Sequence, residues 1–599
     1  MIPNPNHTAS NRRSYNLLLL CVAGLGGLLY GVDVGIIGGA LPYLEATSRL
    51  SAGQLSVIVA AVLLGSVIST IFAGVLSDGF GRKPMMVVSG LVFVISIPLI
   101  ALSHGYTVLL VGRLLQGISG GFIGVVVPLY LAECLVSQSR GKGTGIFQWL
   151  LTFGIVIAAL IGMYYSYRVQ AVAATGNADA LFAVQNNAWR RIFWMSLPPG
   201  LLFAFGSLFV TESPRWLYRR GRTQEALTSL LRSRTPEAAA LELAEMGAVR
   251  TQPDVSHKGA GSLLRRKYVV PFLLACVILA CNTATGINSI IGYNTSILLQ
   301  SGLTDLGAHW GYVLFTSVNF LMTIVGITLV DRKGRRFLLT LGTGGVMLSL
   351  IACALLFHQV ERNDLECGPA VQGLVQDNET LSLKFNQEEA GKLLTASGYS
   401  DDRALAAHAS FAIIYSYAGF TSETTYMRSD DPSAAAIRIT RAASIPENSV
   451  KAFFQNPFAD FDQAKTAPLK IERARMGRIP SPGHGYIVAL ALFIFVAFYA
   501  AGPGVCVWLA LSELMPTRIR SVGMSVALVL NQFVSTTLAV LFLPVVSKYG
   551  YTWIFLLFAG FTVLYFLAII FFLPETKGKT LEEVEQSFEN RRPRVSIPR

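Results

Sequence analysis

Charge is scarce in this 599-residue chain: Asp, Glu, Lys and Arg together make up 14% of it. A soluble chain carries about 25%, so this one lacks the polar surface of a water-soluble fold. Cysteine is scarce too. Of seven, residues 21, 276, 281, 353 and 506 lie in apolar runs, Cys134 ends one, and only Cys367 sits in a long polar segment. That excludes a disulfide framework and a metal cluster. No catalytic triad, nucleotide loop or metal-ligand cluster appears, so no cofactor is expected and an enzyme is not indicated. The first apolar run follows Arg12 and Arg13, contains Asp33 and precedes no A-x-A pattern. It reads as a spanning helix rather than a signal peptide.

Apolar residues are plentiful, at 52%, with a mean hydropathy of +0.52. Twelve runs stand out, at about 16–39, 55–76, 85–103, 108–131, 146–165, 192–210, 268–299, 311–330, 337–357, 486–511, 522–546 and 553–573. Most approach the length needed to cross a hydrocarbon core of about 30 Å. Backbone in lipid must satisfy its own hydrogen bonds, so helices are expected. The ten-residue alternation of a membrane barrel is absent. The expectation is an all-α membrane protein of twelve helices.

The net charge of +13 then has a topological meaning. With the N-terminus in the cytoplasm, cytoplasmic segments hold 29 Lys and Arg, and the short outer loops hold only Arg49, Arg168, Arg190, Arg191 and Lys548. Positive residues gather inside, so both termini are expected there, in a plasma or inner membrane, with no nucleic-acid partner.

Two segments are polar. Residues 211–267 read as a cytoplasmic linker with short amphipathic helices. Residues 358–484 form an outer insertion with 13 basic and 16 acidic residues. At 127 residues it exceeds any ordinary connection, and ASFAIIYSYAGF and VKAFFQNPF suggest a small folded domain. The halves are then 1–210 and 268–573, the second divided by the insertion into 268–357 and 485–573, with a tail at 574–599.

The chain repeats itself. SDGFGRKP at 77–84 and VDRKGRRF at 330–337 share D-x-x-G-R-[KR] after the second and eighth runs. Glu133 precedes Arg140 by seven residues, as Glu513 precedes Arg520. TESPRWL and LPETKGKT follow the sixth and twelfth runs. Asp78 and Asp331 are 253 residues apart and Glu133 and Glu513 are 380 apart, a difference of 127, the length of the insertion. The architecture is two six-helix halves with a site expected between them at mid-membrane. Carboxylate–guanidinium pairs at helix ends suit a gate, since Arg binds carboxylates with two hydrogen bonds. The gating set comprises Asp78, Arg82, Glu133, Arg140, Glu212, Arg215, Asp331, Arg335, Glu513, Arg520 and Glu575.

SDGFGRKP, GRLLQGISGGFIGVVVPLYLAE, TESPRWL, TGIN, DRKGRR and PETKGKT together resemble the sugar porter family of the major facilitator superfamily. The resemblance implies alternating access. Asp33 is a costly charge within a spanning run, and Arg113 is the other charge at that depth. A carboxylate that moves toward and away from a fixed cation can load and release a proton. The resemblance supports that role, since proton-coupled members have Asp here and facilitative ones commonly Asn.

A sugar site needs amides, which donate and accept together, and an aromatic face. Gln148, Asn282, Asn288, Asn319 and Asn531 are amides within runs. Gln148, Asn288, Asn319, Asn531 and Trp508 fall on the family's sugar positions, with Tyr30 and Tyr293 as further candidates. Asn282-Thr283 stands where the family usually has two Gln, and Gln532 where an aromatic is usual. A hexose, pentose, polyol or inositol all fit. The expected function is proton symport of a sugar or polyol by a monomer in the bilayer. A facilitative carrier is the alternative, and a transporter-like nutrient sensor ranks below it.

Overall fold

A computed structural model describes residues 5–48, 50–135, 137–251, 266–399, 402–431, 436–445, 449, 460–515 and 520–575. Twelve helices are long and apolar enough to cross a membrane, as expected of a multi-pass membrane protein. The first half holds α1 (Pro5–Ser48), α2 (Ala52–Phe80), α3 (Arg82–Ala101), α4 (Tyr106–Cys134), α5 (Ser137–Ala173) and α6 (Ala178–Phe209). The second holds α7 (Val269–Gln300), α8 (Asp305–Lys333), α9 (Arg335–Glu361), α10 (Pro482–Val507), α11 (Arg520–Tyr549) and α12 (Tyr551–Phe572). The sixth helix starts about fourteen residues before its apolar run. Its first part, ADALFAVQNNAW, is amphipathic, and only one face is buried, through Leu181, Gln185, Ala188 and Trp189.

Lipid supplies no hydrophobic drive between helices, so close packing of small residues holds them together. In α1, Gly27, Gly31, Gly35 and Gly39 recur every fourth residue on the face that meets α5. A Cβ on Gly31 would lie 1.9 Å from the Leu151 carbonyl oxygen, and one on Gly154 2.3 Å from that of Leu28. The same logic joins α2 to α4, where a Cβ on Gly117 would lie 2.1 Å from the Val62 carbonyl oxygen. Within the first half the backbones therefore touch.

Between α9 and α10 lies an α+β unit. Its antiparallel sheet runs β1 (Leu365–Glu366), β7 (Lys470–Arg478), β3 (Ala409–Tyr417), β4 (Phe420–Glu423), with β5 (Met427–Arg428) also on β3. A second pair joins β2 (Leu381–Leu383) to β6 (Ile437–Ile439). The central strand β3 is the ASFAIIYSY stretch, buried along nearly its whole length. It turns into β4 through Ala418 and Gly419, both at positive φ, the backbone of a tight hairpin. Cys367, Phe385, Phe411 and Met476 are fully buried in this unit's own core. VKAFFQNPF lies outside the described residues.

Candidate functional site

Two helices of the second half break within their span. α7 stops at Ala284 and restarts at Ile287, because Gly286 adopts φ +83°. A Cβ there would also strike the Phe558 ring at 2.3 Å. α10 breaks at Gly502-Pro503, since proline cannot donate the next helical hydrogen bond. The breaks are bridged, as Asn282 Nδ2 donates to Tyr499 Oη at 3.2 Å. Broken helices with polar side chains are how membrane carriers line a solute site.

Asn282, Asn288 and Asn531 fall around the break in α7. Asn288, just past the break in α7, donates to Ser535 Oγ at 2.8 Å. Asn531 donates to the Leu279 carbonyl at 2.8 Å and to Thr283 Oγ1. Asn282 keeps a buried, unpaired Oδ1. Gln148 on α5 is half-buried, and Asn319 on α8 is buried. Their neighbours Trp149 and Phe320 meet across the seam with ring centroids 5.5 Å apart. Tyr30 lies a turn before Asp33, and Tyr293 stacks on Phe542 at 4.2 Å. The Trp508 side chain lies outside the described residues.

Asp33 is buried in α1 against Gly120 of α4, where a Cβ would come within 2.8 Å of its Oδ2. The expected pairing with Arg113 is not a contact. Neither Asp33 oxygen has a hydrogen-bond partner among the described residues. Arg113 is engaged elsewhere: Nη1 donates to Gln116 Oε1 at 2.6 Å, Nε to the Ile58 carbonyl at 3.4 Å, and the guanidinium lies over Phe193 at 5.5 Å. Arg113 acts on Asp33 only through space. The reason is placement: Arg113 lies two turns before Gly120 on α4 and finds acceptors at its own level.

The motif residues converge at the opposite end from the insertion. Buried Arg82 meets Asp78 at 2.8 Å and Glu133 at 2.9 Å, and donates to the Ser77 carbonyl at 3.0 Å. Glu212 accepts the backbone N–H of Arg82 at 3.0 Å and of Lys83 at 3.2 Å. In the second half, Glu575 accepts the N–H of Arg335 at 3.1 Å and of Arg336 at 3.2 Å, and Arg335 donates to the Val330 carbonyl at 3.3 Å. Gly81 at φ +106° and Gly334 at φ +90° precede these helix starts. In each half the carboxylate sits so close to this glycine that a Cβ would collide with it. The duplication read from motifs is thus a duplication of helix-capping geometry, in which a carboxylate meets the positive end of a helix. Burial raises the Glu212 carboxyl above its ordinary value, opposed by those backbone donors.

One member of the set is displaced. Arg215 is exposed and makes no ion pair with a described residue; Arg219, one turn on, reaches Glu133 at 3.1 Å. Arg215 and Arg219 share one face of the short helix Pro214–Arg219, one turn apart, and it is the later turn that lies level with Glu133. The side chains of Arg140, Asp331, Glu513 and Arg520 lie outside the described residues.

At the insertion end the halves are bonded together by residues that sequence reading missed. Asp305, the first residue of α8, accepts from Tyr43 Oη at 2.9 Å and Ser166 Oγ at 2.5 Å. Tyr312 Oη donates to the Gly35 carbonyl at 2.8 Å, and buried His309 stacks on Tyr43 at 5.4 Å. Tyr293, already a candidate in the sequence, joins them, its Oη donating to Ser56 Oγ at 3.2 Å. The available signal was Thr304-Asp305, an N-cap followed by an acidic first turn, whose partners are distant in sequence.

A duplicated bundle with broken helices and buried amides at its seam is the architecture of a secondary transporter. The family profile described as "Sugar (and other) transporter" matches residues 19–371 and 472–588. The human proton myo-inositol cotransporter is 26% identical over 579 residues, covering 95% of this chain and 81% of that protein. The glucose transporter GlcP of Staphylococcus epidermidis is 25% identical over 578 residues, covering 96% and 97%. The inward-open conformation of the xylose transporter XylE from E. coli superposes with a TM-score of 0.62 at 20% identity, covering 95% and 98%. The chain belongs to the sugar porter family of the major facilitator superfamily, a family of transporters rather than enzymes.

Proposed function

We propose that this protein carries a sugar or polyol across the plasma membrane together with a proton, by rocking its two halves about the seam. The observation that carries the reading is Asp33, a carboxyl group buried without a hydrogen bond to any described residue, within electrostatic reach of Arg113 but not bonded to it. An unpaired buried charge is costly, so proton loading and rocking are naturally coupled here. Relatives named as a proton myo-inositol cotransporter and a glucose transporter support the solute class and the coupling.

In this reading Gln148, Asn282, Asn288, Asn319, Trp508 and Asn531 contact the solute. Buried amides can match several hydroxyls without a net charge. Asp78, Arg82, Glu133, Glu212, Arg335 and Glu575 set the helix ends that part at the cytoplasmic face, with Arg219 in place of Arg215. Arg140, Asp331, Glu513 and Arg520 join them by their motif positions. The excess of Lys and Arg supports cytoplasmic termini. The solute path lies within one chain, which supports a functional monomer needing only the bilayer, and no nucleic acid. The test is uptake by proteoliposomes of labelled hexoses, pentoses and polyols, with and without an inward proton gradient. Uptake of one class above its equilibrium level, only with the gradient, is the expected result; gradient-independent equilibration would indicate a facilitative carrier.

A further inference from the structure

A cavity of about 230 Å³ lies away from the seam amides, between the ends of the spanning helices and the insertion. Its floor comes from the ends of α1, α7 and α11 and the starts of α2 and α12; its roof comes from β3 to β6. The roof is fastened to both floor and frame. Arg428 donates to the Leu299 carbonyl, the last turn of α7, at 2.9 Å, and Ser547 of α11 donates to the Thr424 carbonyl at 3.4 Å.

We propose that this cavity is an outer waiting site for the transported polyhydroxylated solute, and that the insertion exists to wall it. The inference rests on the function proposed above. Position is the first argument. The ends of α1, α2, α7 and α11 belong to different halves, and they separate when a carrier of this architecture opens toward the insertion. A solute arriving from that side passes beneath the roof.

Lining chemistry is the second argument. Glu45 of α1 and Ser296 of α7 adjoin across the seam, and neither Glu45 Oε1 nor Ser296 Oγ finds a well-formed hydrogen bond among the described residues. Glu423 and the amide of Gln54 add further polar groups, and Tyr415 and Tyr426 offer ring faces. Carboxylates and amides match hydroxyl groups, and a tyrosine ring covers the apolar face of a sugar or cyclitol. The wall carries three carboxylates, Glu45, Glu423 and Asp431, against two arginines, Arg438 and Arg428, the latter already held by Asp430 at 2.9 Å and by Leu299. Size is the third. The volume is below the range of about 300–1,000 Å³ that takes drug-sized ligands, and equals that of about eight waters, room for one small polyol.

The sidedness of the cavity makes the test specific. Full-length protein is compared in vesicles of the two orientations, using labelled myo-inositol, glucose and xylose as probes and glucosamine as a cationic competitor. Tyr426→Ala and Glu423→Gln should each raise KM for transport starting at the insertion side by about three- to tenfold, the worth of one lost contact. KM from the opposite side should stay within about twofold, and Tyr426→Phe, which keeps the ring, should restore the wild-type value. Equal shifts from both sides, or none, overturn the inference while leaving the transport function intact. Loss of glucosamine competition with an unchanged KM for neutral probes would also overturn it, because the cavity would then select positive charge. Wild-type protein that moves none of the neutral probes would overturn the proposed function, and this site with it.

Discussion

Tyr43 of α1 donates a 2.9 Å hydrogen bond to Asp305 of α8, joining residues 262 apart in the chain and in opposite halves. The same carboxylate oxygen takes the Ser166 hydroxyl from α5. One side chain on the second half thereby holds two helices of the first, and this end of the seam stays shut. Hydrogen bonds to a charged group contribute about 1.5–3 kcal/mol each, and 1.4 kcal/mol is tenfold in an equilibrium.

Asp305→Asn should therefore shift the population toward the form open on the insertion side by about tenfold or more. The probe is a cysteine at Val59, which is buried at the seam beside Gly292 of α7. A membrane-impermeant thiol reagent applied from the insertion side should label Val59→Cys faster in the Asp305→Asn background. Unchanged labelling would remove Asp305 from the closure.

Arg82 and Arg219 share Glu133 but should behave unequally. The Arg82 side chain is 2% exposed and that of Arg219 is 58% exposed. Removing Arg82 strands a buried carboxylate, which costs about 3–5 kcal/mol, whereas an exposed pair contributes about 1 kcal/mol or less. Arg82→Ala should lose most folded protein in a detergent thermal-shift assay. Arg219→Ala should fall by only a few degrees, and Arg215→Ala should not differ from wild type.

The twelve helices were legible because a bilayer permits few alternatives: long apolar runs must be helical and must pack through small residues. The capping residues Glu212 and Glu575 were legible because duplication set them at matched positions. Three things were not. The Asp33–Arg113 relation depends on rotation and level within the bundle, which spacing does not carry; Gln116 and Ile58 take the guanidinium instead. Arg219 replaces Arg215 because the two share one face of a six-residue helix, and only the docked fold sets which turn lies level with Glu133. Tyr43, Ser166 and Asp305 come together only when the halves dock, and no local motif announces such a contact.

The insertion should make stability depend on pH. Burial pushes the Glu423 carboxyl up to about 7, opposed by Lys548. Burial, reinforced by Glu361 and opposed by Arg475 and Arg473, pushes Asp364 up to about 7. Unfolded carboxyl groups titrate near 4, so the folded form holds these protons more tightly. Their stabilising contribution is present below about pH 4 and is lost as pH rises through about 7. The thermal midpoint should drop by several degrees between pH 5 and pH 8. Glu423→Gln should raise the midpoint at pH 8 and flatten the profile; an unaltered profile would mean that this group does not titrate there.

The central claim is that Asp33 carries the coupled proton. Asp33→Asn keeps size and hydrogen-bonding capacity but removes the titrating group, and no ion-pair contact with Arg113 is broken by it. The direct measurement compares proton-driven accumulation with counterflow exchange of the same labelled solute, in the same proteoliposomes. The account predicts that the variant no longer concentrates solute against a gradient while exchange between equal concentrations continues and loses its pH dependence. A variant that still accumulates solute to the wild-type level under a proton gradient would contradict it.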